Sequence, residues 1–171
     1  NAFADKIHGS FYKEDVWELH ANKIKDSVQD GITLYSEIAG QLPSGGHIQK
    51  GYDYSLPPGQ SELFVYRITY TKPNGDIIEF TTPQIQRYCQ KYNLKTVPIF
   101  YYGKAKFWGK ANGFVITEEN HWRETLLECL MKQYNEKNCY LCKNKVPEEG
   151  IVLAKEGDFF EGDISDLCYH Y

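Results

Sequence analysis

The run Leu63-Phe64-Val65-Tyr66-Arg67-Ile68-Thr69-Tyr70 leads through Pro73-Asn74-Gly75-Asp76 into Ile77-Ile78-Glu79-Phe80. β-Branched and aromatic residues fill both flanks, and the Asn-Gly pair between them supplies the positive φ angles of a tight turn, so the stretch predicts a β-hairpin. An upstream run, Ile32-Thr33-Leu34-Tyr35-Ser36-Glu37-Ile38, has the same strand character. Its alternation puts Leu34, Ser36 and Ile38 on one face and Tyr35 and Glu37 on the other; by the same rule Phe64 and Tyr66 share a face. Helical periodicity enters downstream. Thr82-Pro83 reads as an N-cap and an N1 proline, with Ile85, Tyr88, Cys89 and Tyr92 recurring at helical spacing until Asn93. A longer helix is expected to open near Thr117 with Trp122, Leu126, Leu127, Leu130, Met131 and Tyr134 along one face, and Gly150-Ile151-Val152-Leu153 reads as a buried strand. Strands with interspersed helices around a mainly antiparallel sheet describe an α+β domain.

With 171 residues, the chain is one domain (1–171) by the length prior, able to bury roughly 70% of its unfolded surface. A hydrophobic fraction of 42% with 25% charged residues excludes a disordered, collagenous or disulfide-scaffold chain. No apolar run approaches the ~20 residues of a membrane helix, so no membrane partner is expected. The net charge of −4 argues against holding nucleic acid by bulk positive charge. Five cysteines, an odd number, suit thiols in a reducing intracellular compartment such as the cytoplasm. The start at Asn1-Ala2-Phe3, without an initiator Met, suggests a piece of a longer product.

Charge is segregated along the chain. From Thr81 to Thr117 there is no Asp or Glu, while Arg87, Lys91, Lys95, Lys104, Lys106 and Lys110 lie among Tyr88, Tyr92, Phe100, Tyr101, Tyr102, Phe107, Trp108 and Phe114. Basic groups interleaved with aromatic rings suit phosphate contact plus base stacking. The alternative is solvated lysines beside core-facing rings. Glu156 to Tyr171 carries five acids and no Lys or Arg, which makes it unsuited to a phosphate backbone.

Four segments can carry chemistry. Lys6-Ile7-His8-Gly9 places an amine beside a Gly-containing bend, where desolvation or a cationic neighbour would free it as a nucleophile. Glu37 ends a strand just before a Gly, suited to accepting ribose hydroxyls or orienting a metal-bound water, although an edge-strand glutamate facing solvent is the commoner case. Phe64 and Tyr66 could offer a flat ring to a purine, although core packing is the usual fate of such alternation. Glu148-Glu149 opens an apolar run and could hold a divalent cation beside phosphates.

In this order the segments resemble the ATP-dependent RNA ligases of the covalent nucleotidyltransferase superfamily, which also holds DNA ligases and mRNA capping enzymes. Lys6-Ile7-His8-Gly9 looks like the nucleophile motif Lys-x-(Asp/His)-Gly, and Tyr35-Ser36-Glu37-Ile38 like the third motif. Phe64-Val65-Tyr66-Arg67-Ile68 is similar to the aromatic motif after it, and Glu149-Gly150-Ile151-Val152-Leu153 to the fourth. Ile48-Gln49-Lys50-Gly51-Tyr52-Asp53-Tyr54 and Cys139-Tyr140-Leu141-Cys142-Lys143-Asn144-Lys145-Val146-Pro147 resemble one RNA-ligase branch. The resemblance implies a ligase adenylation domain of antiparallel sheets flanked by helices. It implies that Lys6 attacks the α-phosphorus of ATP, with Ile7 and Gly9 beside the nucleotide, Glu37 on the ribose, and Tyr66 or Phe64 stacked on adenine. Glu149 would position Mg²⁺ or Mn²⁺. AMP would pass to an RNA 5′-phosphate, and a 3′-hydroxyl would displace it. Independently of the resemblance, the basic aromatic stretch makes Lys104, Lys106 and Lys110 the candidate RNA contacts.

The sequence departs from that pattern in named places. The chain's arginines are Arg67, Arg87 and Arg123, none shortly after the nucleophile motif. Ala154 stands where the fourth motif usually ends in arginine, and Ser165 to Tyr171 lacks the Lys-x-Lys of the fifth motif. Lys155 could compensate in part, although on a strand it would face the side opposite Ala154. The stretch from Lys6 to Glu37 is short for the family. These departures keep open a catalytically degraded ligase-like module that binds nucleic acid, and a GTP-dependent capping or DNA-joining activity is a further variant. Cys139-x-x-Cys142 lacks a second pair at zinc spacing, so zinc is not expected.

Overall fold

A computed structural model of the chain describes residues 15–114, 122–134 and 137–156. These form an α+β protein: α1 (Val16–Ile24) with a 3₁₀ turn at Lys25–Ser27, β1 (Ile32–Gly40), β2 (Ser61–Thr71), β3 (Ile77–Glu79), α2 (Thr82–Lys91), β4 (Lys95–Thr96), α3 (Ala105–Ala111) and α4 (Trp122–Tyr134). Two compact units emerge, one within Asn1–Val97 together with Leu141–Asn144, the other within Pro98–Tyr140 and Lys145–Tyr171.

The first unit is built on β2, which pairs antiparallel with β1 and β3 and, for two residues, parallel with β4. Val16 of α1, Ile38 of β1, Leu63, Val65 and Ile68 of β2, and Ile85 and Cys89 of α2 form its buried core. Both helices therefore cover one face of the sheet, and the apolar faces read from alternation are the ones buried. Burial pushes the Cys89 thiol up to about 11, leaving it a protonated packing group at neutral pH. Gly40 ends β1 at φ +114°, and a Cβ there would sit 2.5 Å from the Gln60 carbonyl oxygen, so the sharp exit from the strand requires glycine.

Asp15 caps α1 by accepting a hydrogen bond from the Glu18 amide at 2.9 Å. The cap of α2 is Thr81, one residue before the position expected from Thr82-Pro83. The reason is Gln84, whose side-chain oxygen accepts from the Thr81 amide at 2.8 Å; this reciprocal end-closure starts the helix at Thr82, which is buried.

The second unit has its own core, Ala105 and Trp108 of α3 against Leu126 and Leu130 of α4, with Tyr101, Phe114, Cys129, Tyr134 and Ile151 packed around it. Two expectations fail here. Leu127 and Met131 are 56% and 53% exposed rather than on the buried face of α4, because each lies one position, about 100° of helical turn, past Leu126 and Leu130. Residues 150–153 form no strand, and Val152 and Leu153 are exposed. The segment has apolar content but no ladder partner, and Gly150 at φ +145° turns the backbone out of the extended region.

Among the described residues no helix is long and apolar enough to cross a membrane. None of the four described cysteines is in a disulfide.

His20 ties α1 to the start of β2. It is buried, and its Nε2 is hydrogen-bonded to Ser61 Oγ at 2.9 Å. Burial first, and then the Lys23 charge, hold its pKa below the ordinary 6.5, with Glu62 opposing. The native ring stays neutral where the unfolded ring already binds a proton, so stability declines as pH falls below 6.5. Thermal melts between about pH 5 and about pH 8 are expected to show this decline, and His20→Gln to flatten it; an unchanged slope in the variant would refute the assignment.

Candidate nucleotide site on the open face of the sheet

The face of the sheet turned away from α1 and α2 collects the polar and aromatic positions of β1 and β2. Glu37 and Phe64 are direct cross-strand partners, as are Tyr35 and Arg67. Between these pairs the register shifts: Tyr35 faces Arg67 whereas Ser36 faces Val65, so Tyr66 is the extra residue of a β-bulge. Tyr66 and Arg67 consequently both lie against Tyr35. The Tyr35 and Tyr66 ring centroids are 6.4 Å apart, and the Arg67 guanidinium carbon stands 4.7 Å from the Tyr35 centroid.

Arg67 is held in place by Glu79 of β3. Its Nε donates to one carboxylate oxygen and its second guanidinium nitrogen to the other at 2.8 Å. That two-pronged bond pulls the Glu79 carboxyl below its usual range. At the other end of the face, Lys95 of β4 bonds Glu62 at 2.8 Å and lies 6.0 Å from the Phe64 centroid.

Glu37 is exposed, and Phe64 and Tyr66 are half-buried. A carboxylate beside aromatic rings can accept hydrogen bonds from a pair of hydroxyls while a ring supports a flat base. Arg67 is committed to Glu79 and Tyr35, so it orients rings rather than offering a charge to phosphate. Tyr35, Arg67 and Glu79 were not among the residues expected at the site; the Tyr35-x-Glu37 alternation already put Tyr35 on this face, while the approach of Glu79 depends on the hairpin register.

The other expected residues are placed as follows. Lys6, Ile7 and Gly9 lie outside the described residues. Glu149 and Lys155 are exposed residues of the second unit, and Ala154, next to Lys155, takes part in an isolated β-bridge. Lys104 precedes α3, and Lys106 and Lys110 are exposed on it. Among the described residues no three His, Cys, Asp or Glu side chains gather as a metal site.

Residues 51–55 and 141–144, far apart in the chain, are joined. Asp53 Oδ1 accepts from the amides of Ser55 at 2.9 Å and Lys143 at 3.0 Å; Asn144 Nδ2 donates to Gly51 O at 2.6 Å, and Ser55 Oγ to Leu141 O at 2.7 Å. The Ser55 amide first, then those around Lys143, hold the Asp53 carboxyl below its ordinary range. Tyr54 and Ser55 take left-handed φ values of 45° and 55° within this clasp, a strained arrangement for residues with side chains.

No family model, no curated protein and no solved structure matches the chain.

Replacing Asp53 with Ala removes the shared acceptor. Amide exchange at Ser55 and Lys143 is expected to accelerate selectively while the β1–β2 amides keep their protection; equal rates in variant and wild type would show that the clasp does not depend on Asp53.

Proposed function

We propose that the chain is the adenylyltransferase unit of an RNA ligase, using ATP to activate an RNA 5′-phosphate for joining to a 3′-hydroxyl. One observation carries the reading: Glu37 stands directly across from Phe64, with Tyr66 on the same face. The resemblance to the ligase motifs implies ribose and adenine contacts for the same residues. In the proposed step the Lys6 amine attacks the α-phosphorus, an N–P bond forms, the bond to the bridging oxygen breaks, and pyrophosphate leaves. The lysine proton goes to solvent. The RNA 5′-phosphate then displaces lysine, and the 3′-hydroxyl displaces AMP.

The resemblance implies Mg²⁺ or Mn²⁺, which Glu149 would help to hold. Mg²⁺ characteristically binds one or two carboxylates together with substrate phosphates and water, and Glu149 is an exposed hard-oxygen donor of that type. Such an ion would neutralise charge on the phosphates. Glu37 meanwhile accepts ribose hydroxyls, and Tyr66 or Phe64 excludes water from one face of the base.

A second reading is a binding module that retains the fold without the covalent chemistry. Ala154 at the end of the fourth motif favours it.

Incubation with α-labelled ATP and Mg²⁺ is expected to leave an acid-labile AMP adduct that Lys6→Ala abolishes. Glu37→Ala is expected to weaken ATP binding about ten-fold or more, the range for a hydrogen bond to a charged group, and Tyr66→Ala by a similar factor for a lost stacked ring. An adduct that persists in Lys6→Ala overturns the covalent assignment. ATP affinity unchanged in both Glu37→Ala and Tyr66→Ala overturns the site.

A further inference from the structure

We infer that the solvent face of α3 is a docking surface for single-stranded RNA, with Phe107 as a stacking platform beside Lys106 and Lys110. This deepens the RNA-partner part of the reading above and rests on it. Within the second unit, α3 buries Ala105, Trp108 and Gly109 and leaves Lys106, Phe107, Lys110 and Ala111 in solvent. Phe107 is 59% exposed, an unusual position for a phenylalanine when a core lies on the other side of the same short helix. The Lys106 ammonium sits 5.7 Å from its ring centroid.

Lys106 and Lys110 are four residues apart on the helix, neighbours along one side, and Phe107 lies between them in sequence and one turn before Ala111. Two cations along one side of an exposed ring match a strand whose phosphates run past the lysines while one base lies on the ring. A duplex offers the phosphates but keeps its base faces stacked inside. Charge complementarity supports the occupant, because no acidic residue occurs from Thr81 to Thr117. Glu156 of the same unit accepts a hydrogen bond from the Tyr102 hydroxyl at 2.8 Å.

The test is fluorescence anisotropy of the full chain with a labelled oligouridylate and with a blunt RNA duplex of equal length, at several salt concentrations. The single strand is expected to bind more tightly. Phe107→Ala is expected to weaken strand binding roughly ten-fold, with little effect on the duplex, and Phe107→Trp to restore it where Phe107→Leu does not. Joint replacement of Lys106 and Lys110 by Gln is expected to reduce the slope of log affinity against log salt by about 1.4, at ~0.7 per phosphate contact on a single strand. Equal strand affinity in Phe107→Ala and wild type, or equal loss for strand and duplex, overturns the platform; an unchanged salt slope overturns the lysine contacts. ATP binding by the wild-type chain is measured alongside. ATP binding without ring-dependent strand binding overturns the α3 surface alone, and ring-dependent strand binding without ATP binding overturns the adenylyltransferase reading alone.

Discussion

The phase of β2 is the constraint on which the first unit depends. Strict alternation from Leu63 and Val65 would send Arg67 into the core and Ile68 out to solvent. Burying an unpaired guanidinium costs far more than one isoleucine returns, since a buried Ile contributes only about 1.5–3 kcal/mol. The bulge at Tyr66 resolves the conflict by inserting one residue. Val65 and Ile68 are then both fully buried, and Arg67 remains on the open face, its side chain 42% exposed.

The same irregularity shapes the candidate site. A regular ladder would place one β2 side chain opposite Tyr35; the bulge brings two, Tyr66 and Arg67. The Arg67–Glu79 pair is too exposed to contribute more than about 1 kcal/mol to stability. Its consequence is geometric, because a guanidinium fixed at both prongs holds its plane against Tyr35 and limits where Tyr66 can lie. Glu37 depends on the register as well: a slip of one residue would exchange it with Ile38, moving a carboxylate into the core and an apolar side chain to the surface. Fold and site are therefore selected by one pairing.

This explains which features were legible in the sequence. The faces of β1 and β2 follow from two-residue periodicity, as do the positions of Glu37, Phe64 and Tyr66. The break in that periodicity at Arg67 was visible but reads as a regular strand unless the cost of burying arginine is weighed. α1 escaped because Trp17 and Leu19 face solvent and its buried positions are a valine and a histidine, a weak apolar stripe. α3 escaped because it is seven residues long and divided between lysines and aromatics. In α4 apolar residues one position off the buried stripe widened the expected face. The clasp between Asp53 and Lys143 uses backbone amides, whose placement no side-chain pattern records.

Whole-chain charge is a poor guide to where a polyanion could bind. A net charge of −4 sums acids and bases that ionic screening separates beyond about 8 Å at physiological salt. What a passing phosphate meets at α3 is set by Lys106, Lys110 and their immediate neighbours. Two lysines give weak attraction that any phosphate backbone would satisfy, duplex or single-stranded. The ring changes this balance, because it offers contact only to a base whose face is open. On the proposed surface charge would set how often a strand arrives, whereas stacking on Phe107 would discriminate between paired and unpaired bases.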